Sequence, residues 1–241
     1  MDNPDGAFAR YKLVNVAALL RLPDGLSLRA AALAEPLAVA LHAITRSRIH
    51  RTDSALVLGA GPIGALIIAV LAADGHEVVR VVEPNPSRQA LARSLGATSV
   101  EHPDALAVFP MWEPERIAEG AVDVVFECSG RRSAMEAGFH QLRRGGHLVL
   151  VGAGIEPPSF DPNRHILNEL TVSGSFIYDE GGFDDALAWL ASDRLPLELL
   201  IDPVDVPLDG VIDAMIALAD GRIAGKAMVA PALPLRTEST A

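Results

Sequence analysis

The chain has one cysteine, Cys128, among its 241 residues. A single thiol excludes an intramolecular disulfide and any zinc site needing two cysteines from one chain. Aromatic residues are scarce at 5%, lysine occurs only at positions 12 and 226, and no run of Lys or Arg forms a basic stripe. With a formal net charge of −11, the chain lacks the positive footprint and stacking rings of a nucleic-acid binder. The longest apolar stretch, residues 63–73, is too short to span a bilayer. The opening residues Met1-Asp2-Asn3-Pro4-Asp5-Gly6 show no basic-then-apolar signal pattern. These absences predict a cytoplasmic protein that engages neither nucleic acid nor membrane. What is present is a half-hydrophobic chain with 17 prolines and 20 glycines scattered along it, enough for a sizeable core and free of low-complexity tails.

Alternation and β-branched content at 7–16 read as a strand. Pro23-Asp24-Gly25 is a turn, and Ser27 reads as the N-cap of an alanine-rich helical stretch over 28–45, with a break or fresh start near Pro36. From Ser54 the pattern becomes strand–helix alternation. Strands are predicted at 55–58, 77–82, 98–100, 122–126, 147–151 and 170–176, and helices at 62–74, 87–95 and from Gly130 to Leu142, followed by a tight turn at Gly145-Gly146. Such alternation implies right-handed crossovers and an α/β, doubly wound parallel sheet, the Rossmann arrangement. Beyond it, 183–191 and 208–218 read as helices and 227–229 as a final strand.

Gly59-Ala60-Gly61-Pro62-Ile63-Gly64 follows the first of these strands and opens a helix, and Glu83 closes the second about twenty residues on. In this context Gly59 permits the tight turn, Gly61 lets a diphosphate approach the backbone, and Gly64 lets the helix lie close to the strand. The helix N-terminus offers unpaired N–H groups and partial positive charge to the diphosphate. A carboxylate at Glu83 can accept both ribose hydroxyls, whereas a 2′-phosphate about 4 Å away would meet a like charge at ~4 kcal/mol, so NAD is expected over NADP. Arg88, able in principle to accommodate a 2′-phosphate, reads as packing along the adenosine side or as a solvated helix residue. The strand ends after Phe126 and Val151 should reach the same crevice, so Glu127-Cys128-Ser129-Gly130 and Gly152-Ala153-Gly154 are expected to flank the nicotinamide half. Cys128, with no assignable activating histidine, reads as a small buried residue at a strand end rather than a nucleophile.

The segments Gly6-Ala7-Phe8-Ala9-Arg10-Tyr11, Leu22-Pro23-Asp24-Gly25-Leu26-Ser27, Ala34-Glu35-Pro36-Leu37, the glycine loop, Asp123-Val124-Val125-Phe126-Glu127-Cys128-Ser129-Gly130 and Glu169-Leu170-Thr171-Val172-Ser173-Gly174-Ser175-Phe176 together resemble the zinc-type medium-chain dehydrogenase/reductase family, in its sorbitol and threonine dehydrogenase branch. The resemblance implies that Ile63, Glu83 and Arg88 touch the adenosine end and diphosphate. It also implies that Val151, Gly152 and Ala153, then Ser175, Phe176 and Ile177, approach the nicotinamide. It implies an NAD-dependent hydride transfer to or from a small alcohol or carbonyl. It divides the chain into a remnant of the GroES-like catalytic domain at 1–34, the NAD-binding Rossmann domain at 35–180, and C-terminal helices with a final strand at 181–241. The family's zinc-binding N-terminal portion has no counterpart in the sequence; of the zinc environment only Glu35 remains, and one carboxylate cannot hold a catalytic zinc. Ile177 stands where the sorbitol-dehydrogenase branch has an arginine near substrate.

No metal is therefore expected, and the catalytic candidates are Glu35 and His42, seven apart and on one face of a continuous helix, as an acid/base pair. The plainer alternative is a helix-start carboxylate beside an ordinary core histidine. His165 reads as a loop residue that could approach the crevice, Tyr178 as a packed tyrosine or a proton donor, and Asp179-Glu180 with Asp184-Asp185 as a solvated helix start. The expectation is a truncated, zinc-independent NAD oxidoreductase. The alternatives are a scaffold recruited for cyclisation or isomerisation, a non-catalytic NAD-binding protein, one subunit of a split enzyme, or the product of a truncated gene model. Apolar surface left open by the absent portion should be covered by a homodimer or larger assembly, joined through the strand at 170–176.

Overall fold

The computed structural model describes residues 6–232; the start of the opening hexapeptide and the last nine residues of the expected C-terminal unit lie outside the described residues. The strands are β1 (Ala55–Leu58), β2 (Val79–Val82), β3 (Ser99–Glu101), β4 (Val122–Glu127), β5 (Leu142–Leu150) and β6 (Thr171–Gly174). They form one six-stranded sheet in the order β3-β2-β1-β4-β5-β6, and every pairing is parallel. The order reverses between β1 and β4, which opens a crevice beyond the carboxyl ends of the strands. The expected doubly wound sheet is therefore the observed one.

The helices are α1 (Leu28–Ala31), α2 (Ala34–Ser47), α3 (Pro62–Ala73), α4 (Pro86–Ser94), α5 (Arg132–His140), α6 (Pro162–Leu167), α7 (Gly182–Leu190), α8 (Leu197–Leu200) and α9 (Val211–Ala219). Ala55 and Val57 of β1 join the core made with α2, α3 and α7, while Leu56 and Leu58 join the opposite core with Phe139 of α5. Burial on both faces is why β1 is a continuous apolar run rather than an alternating one. Helix α3 is buried from Gly64 through Leu71, so its sequence is apolar all round. Each fully buried Leu, Ile or Phe in these layers contributes about 1.5–3 kcal/mol.

Several expectations are corrected. Residues 7–16 form no strand: a strand needs a ladder partner, and here Tyr11 and Leu13 stand exposed and only a short 3-10 turn, Val16–Ala18, is formed. The helical break expected near Pro36 falls at 32–33, and Pro36 sits in the first turn of α2 where its missing N–H has no consequence. Helix α5 stops at His140, because the Gln141 carbonyl accepts from the Val122 N–H and Leu142 already pairs with Val122. Gly145-Gly146 then lies inside β5, in a bulge between the Val122–Leu142 and Val124–His147 pairs. Finally, 227–229 contributes a single isolated bridge, Val206 with Val229, beside that of Ile201 with Lys226, rather than a sheet strand. His165 lies in α6, not in a loop, with its ring against Phe139.

Candidate functional site

The glycine loop joins β1 to α3, and its three glycines answer three different constraints. Gly59 has φ +92, a left-handed conformation that any other residue enters with strain. A Cβ at Gly64 would overlap the Gly59 carbonyl oxygen, whereas a Cβ at Gly61 would meet nothing within 4 Å. Gly64 is thus needed by the protein's own packing, while the space beside Gly61 is open. Gly61 is the N-cap of α3 and Pro62 is its first residue. The first intrahelical bond is donated by Ala65 to the Gly61 carbonyl, so the N–H groups of Ile63 and Gly64 are the orphan donors of this helix end.

Glu83 follows β2 and is only 3% exposed. Its Oε2 accepts from the Ala60 N–H at 2.7 Å and its Oε1 from the Asn85 N–H at 2.8 Å. The carboxylate therefore sits against the glycine loop, and each oxygen keeps a lone pair for a further donor. Arg88 turns the other way: its guanidinium donates to the carbonyls of Leu218 at 2.6 Å and Ile223 at 3.5 Å, within and beyond the last turn of α9 respectively. Asn85 caps α4 through the N–H groups of Ser87 and Arg88 and donates to the Gly221 carbonyl at 3.0 Å. Together Asn85 and Arg88 bring the C-terminal segment against the Glu83 side of the crevice. The sequence reading missed this wall, whose only local signal was an Asn-Pro start to α4.

On the other side, Glu127 is fully buried and accepts from the Ser129 and Gly130 N–H groups and from the Ser129 hydroxyl. Burial raises its pKa, against the lowering effect of those donors. Its backbone carbonyl accepts from both Val151 and Gly152. A Cβ at Gly152 would overlap the Gly130 backbone, and one at Gly130 would overlap the Ala153 carbonyl. The loops after β4 and β5 therefore touch backbone to backbone, bringing Cys128, Val151, Gly152 and Ala153 together. Cys128 has its thiol pushed far above the ordinary range, first by burial and then by the neighbouring Glu127 charge, which is the opposite of an activated nucleophile.

After β6, the Ser175 N–H pairs with the Leu150 carbonyl, and the Ser175 Oγ is buried without a hydrogen-bond partner. Phe176 is 83% exposed, and Ile177 adopts φ +53, an uncommon conformation for a β-branched residue. Glu35 is exposed in the first turn of α2. His42 is half-buried on the same helix, and its Nδ1 lies 3.4 Å from Oδ2 of Asp179. The structure thus pairs His42 with Asp179 rather than with Glu35; seven residues of helix separate Glu35 from His42 by about 10 Å along the axis. Asp179 was read only as part of a solvated run, since no local pattern links it to α2. Tyr178 packs edge-on against Phe183 at 5.2 Å.

Fold and site define the class: a parallel six-stranded dinucleotide-binding domain with its glycine loop at the strand-order reversal. The zinc-binding dehydrogenase family model matches residues 62–192, more than half of the chain, and the chain belongs to that family. It is 37% identical over 232 residues to the 2-dehydro-3-deoxy-L-galactonate 5-dehydrogenase of Pseudoalteromonas atlantica, covering 95% of this chain and 66% of that protein. Among solved structures, a protein from Sinorhizobium meliloti 1021 classed as a zinc-binding dehydrogenase and bound to NADP superposes with a TM-score of 0.77 at 28% identity, covering 94% of this chain and 64% of its own. The L-idonate 5-dehydrogenase of Escherichia coli superposes with a TM-score of 0.75 at 28% identity, covering 88% and 60%. The chain spans less than two thirds of the length of each of these relatives. Among the described residues no three His, Cys, Asp or Glu side chains converge as a metal site, so the residues present do not fit the zinc that the family name implies. No helix among them is long and apolar enough to cross a membrane.

Proposed function

We propose that this chain binds a nicotinamide dinucleotide, NAD in preference to NADP, and serves the oxidation of a secondary alcohol, or the reverse reduction, on a polyhydroxylated small molecule. The observation that carries the reading is the contrast between Gly64, closed by the chain's own backbone, and Gly61, open at the N-terminus of a twelve-residue helix. Gly59, Gly61, Pro62, Ile63 and Gly64 would hold the diphosphate, and Glu83 the adenosine ribose. The negative charge of Glu83 favours a free 2′-hydroxyl over a 2′-phosphate, although a relative of the same fold carries NADP. Arg88 would act at one remove, holding the segment at 218–223 as a wall on the adenosine side. Cys128, Val151, Gly152, Ala153, Phe176 and Ile177 would line the nicotinamide half. The unpartnered hydroxyl of Ser175 fits a group that both donates and accepts, as a carboxamide does.

The cofactor supplies a hydride acceptor or donor. The chain's own contribution would be to orient the substrate and hold its proton. His42, oriented through Nδ1 by Asp179, would take or return that proton, with Glu35 nearer the start of α2. The names of the galactonate and idonate enzymes favour a sugar acid as the first substrate class to test. The edge position of β6 and the exposed apolar residues Phe8, Tyr11, Leu13, Val16 and Leu19 support a homodimer or larger assembly, to be tested by light scattering after size exclusion. A free thiol is at home in a reducing cytoplasm.

Calorimetry with NAD and NADH, followed by NADH absorbance with a panel of aldonates and polyols, tests the reading. Binding weakened at least ~tenfold by Gly61→Ala in a folded protein is the expected result; no heat of association at millimolar dinucleotide would remove the cofactor assignment.

A further inference from the structure

A cavity of about 420 Å³ opens at the end of the sheet opposite the glycine loop, where the strands begin. Its walls come from the last turn of α2, the residues before β1, and the starts of β4, β5 and β6. We propose that this cavity is a binding site for a small phosphate-type dianion, inorganic phosphate or a phosphate monoester, gripped by the guanidinium groups of Arg46 and Arg48.

The charges lining this cavity are unequally matched. Two carboxylates line the cavity, Asp53 and Asp123. Asp53 accepts from the His50 N–H at 2.8 Å. Asp123 accepts from the N–H and hydroxyl of Ser54 and forms an ion pair with Arg143. Both carboxylates and one arginine are thus engaged within the protein. The guanidinium groups of Arg46 and Arg48 have no hydrogen-bond or ion-pair partner among the described residues. With Arg143 matched by Asp123, the guanidinium groups of Arg46 and Arg48 outweigh the single charge of Asp53 and leave a local charge of about +1, and arginine's planar fork matches phosphate oxygens two at a time.

The remaining wall is polar and held in place. His147 Nδ1 lies 3.1 Å from the Ser47 carbonyl, which can only accept, so Nδ1 carries the hydrogen. Nε2 lies 2.7 Å from Ser173 Oγ and, in the neutral ring, accepts the hydroxyl's proton. Burial holds this imidazole's pKa below the usual histidine value despite the Ser47 bond, and the charges of Arg48 and Arg46 add to the lowering. The ring is therefore a neutral prop and the positive charge is the arginines' own. The volume lies within the usual range for small-molecule sites. The C-terminal dipole of α2 would favour cations here with or without a ligand, but neither guanidinium bonds a helix-end carbonyl. Thr171 and Ser173 contribute side chains on the face of β6, not its backbone edge, so an assembly through that edge leaves the cavity open.

Isothermal titration of the purified chain with inorganic phosphate, and separately with glucose 6-phosphate, at low ionic strength tests the site. The full set of variants is Arg46→Ala/Arg48→Ala and Gly61→Ala, each checked for folding by circular dichroism. One-site binding that weakens at least about tenfold in the double-arginine variant, and is unchanged in Gly61→Ala, is the expected result. Tighter binding of the ester identifies a phosphorylated metabolite as the ligand; equal binding identifies phosphate itself. Loss of binding in Gly61→Ala alone would place the anion at the glycine loop and overturn the proposal. So would the absence of heat at 10 mM phosphate, a concentration about tenfold above a millimolar dissociation constant, or a double variant whose only change is a lower melting temperature.

Discussion

Replacing Glu83 by Gln is the sharpest test of the cofactor site, because the structure separates what the charge does from what the hydrogen bonds do. The carboxylate accepts from the Ala60 and Asn85 N–H groups with different oxygens. Glutamine keeps one acceptor and turns an NH2 group toward the other donor. One charge-assisted bond is lost, about 1.5–3 kcal/mol, and at ~2–4 °C per kcal/mol for a chain of this size the melting temperature falls by roughly 3–12 °C. The charge acts separately. Two like charges about 4 Å apart at an effective dielectric of 20 repel by ~4 kcal/mol, close to a thousandfold in affinity. The assay is calorimetric titration with NAD and with NADP, read as the ratio of their dissociation constants so that shared losses cancel. The expected ratio in the native protein favours NAD strongly and falls by two to three orders of magnitude in Glu83→Gln. Glu83→Asp should keep the preference with weaker binding of both. A ratio that Glu83→Gln leaves within about threefold of the native value, ~0.7 kcal/mol, would refute the electrostatic account of selectivity.

Three further outcomes follow from the geometry. Gly64→Ala should lower stability by more than ~3 kcal/mol, because its methyl group meets the Gly59 carbonyl, whereas Gly61→Ala should shift the melting temperature little and weaken NAD at least ~tenfold; thermal melts and titrations of the two side by side check both. Cys128 should resist iodoacetamide at pH 8 in the native protein and react fully after denaturation, as mass spectrometry would show, because burial and Glu127 hold the thiol protonated. Stability should decline as pH falls from 7 toward 5. His140 and His147 are both held below the ordinary value of 6.5, chiefly by burial, so the unfolded chain takes up more protons there, and the stability they contribute above 6.5 is lost as pH drops through their folded values. Glu127 works in the opposite sense: raised by burial above 4.5, it binds its proton more tightly when folded, so its contribution improves as the medium becomes more acid. Calorimetric scans of the native protein and of His147→Gln should show a shallower decline in the variant; parallel profiles would remove the histidine from the account.

The sheet and the glycine loop were legible in the sequence because their signals are local. An apolar four-residue run, a glycine that must take positive φ, and a glycine a turn later whose Cβ has no room all lie within ten residues, Ala55 to Gly64. Hydrophobic run lengths and breakers were enough to number the six strands, and their alternation with helices was enough to make them parallel. What residues 7–16 would do was not legible, since β-branched alternation describes a strand's side chains and not the neighbour it needs. Nor was the end of α5, which depends on Leu142 finding Val122 across the sheet. The His42–Asp179 pair, the Arg88 clamp on α9 and the His147–Ser47 bond in the wall of the polar cavity join groups 100 to 137 positions apart in the chain. Sequence pattern determines which backbone conformations are favourable at each position; only the closed fold decides which side chains find each other's charges, and which, like Arg46 and Arg48, are left without a partner.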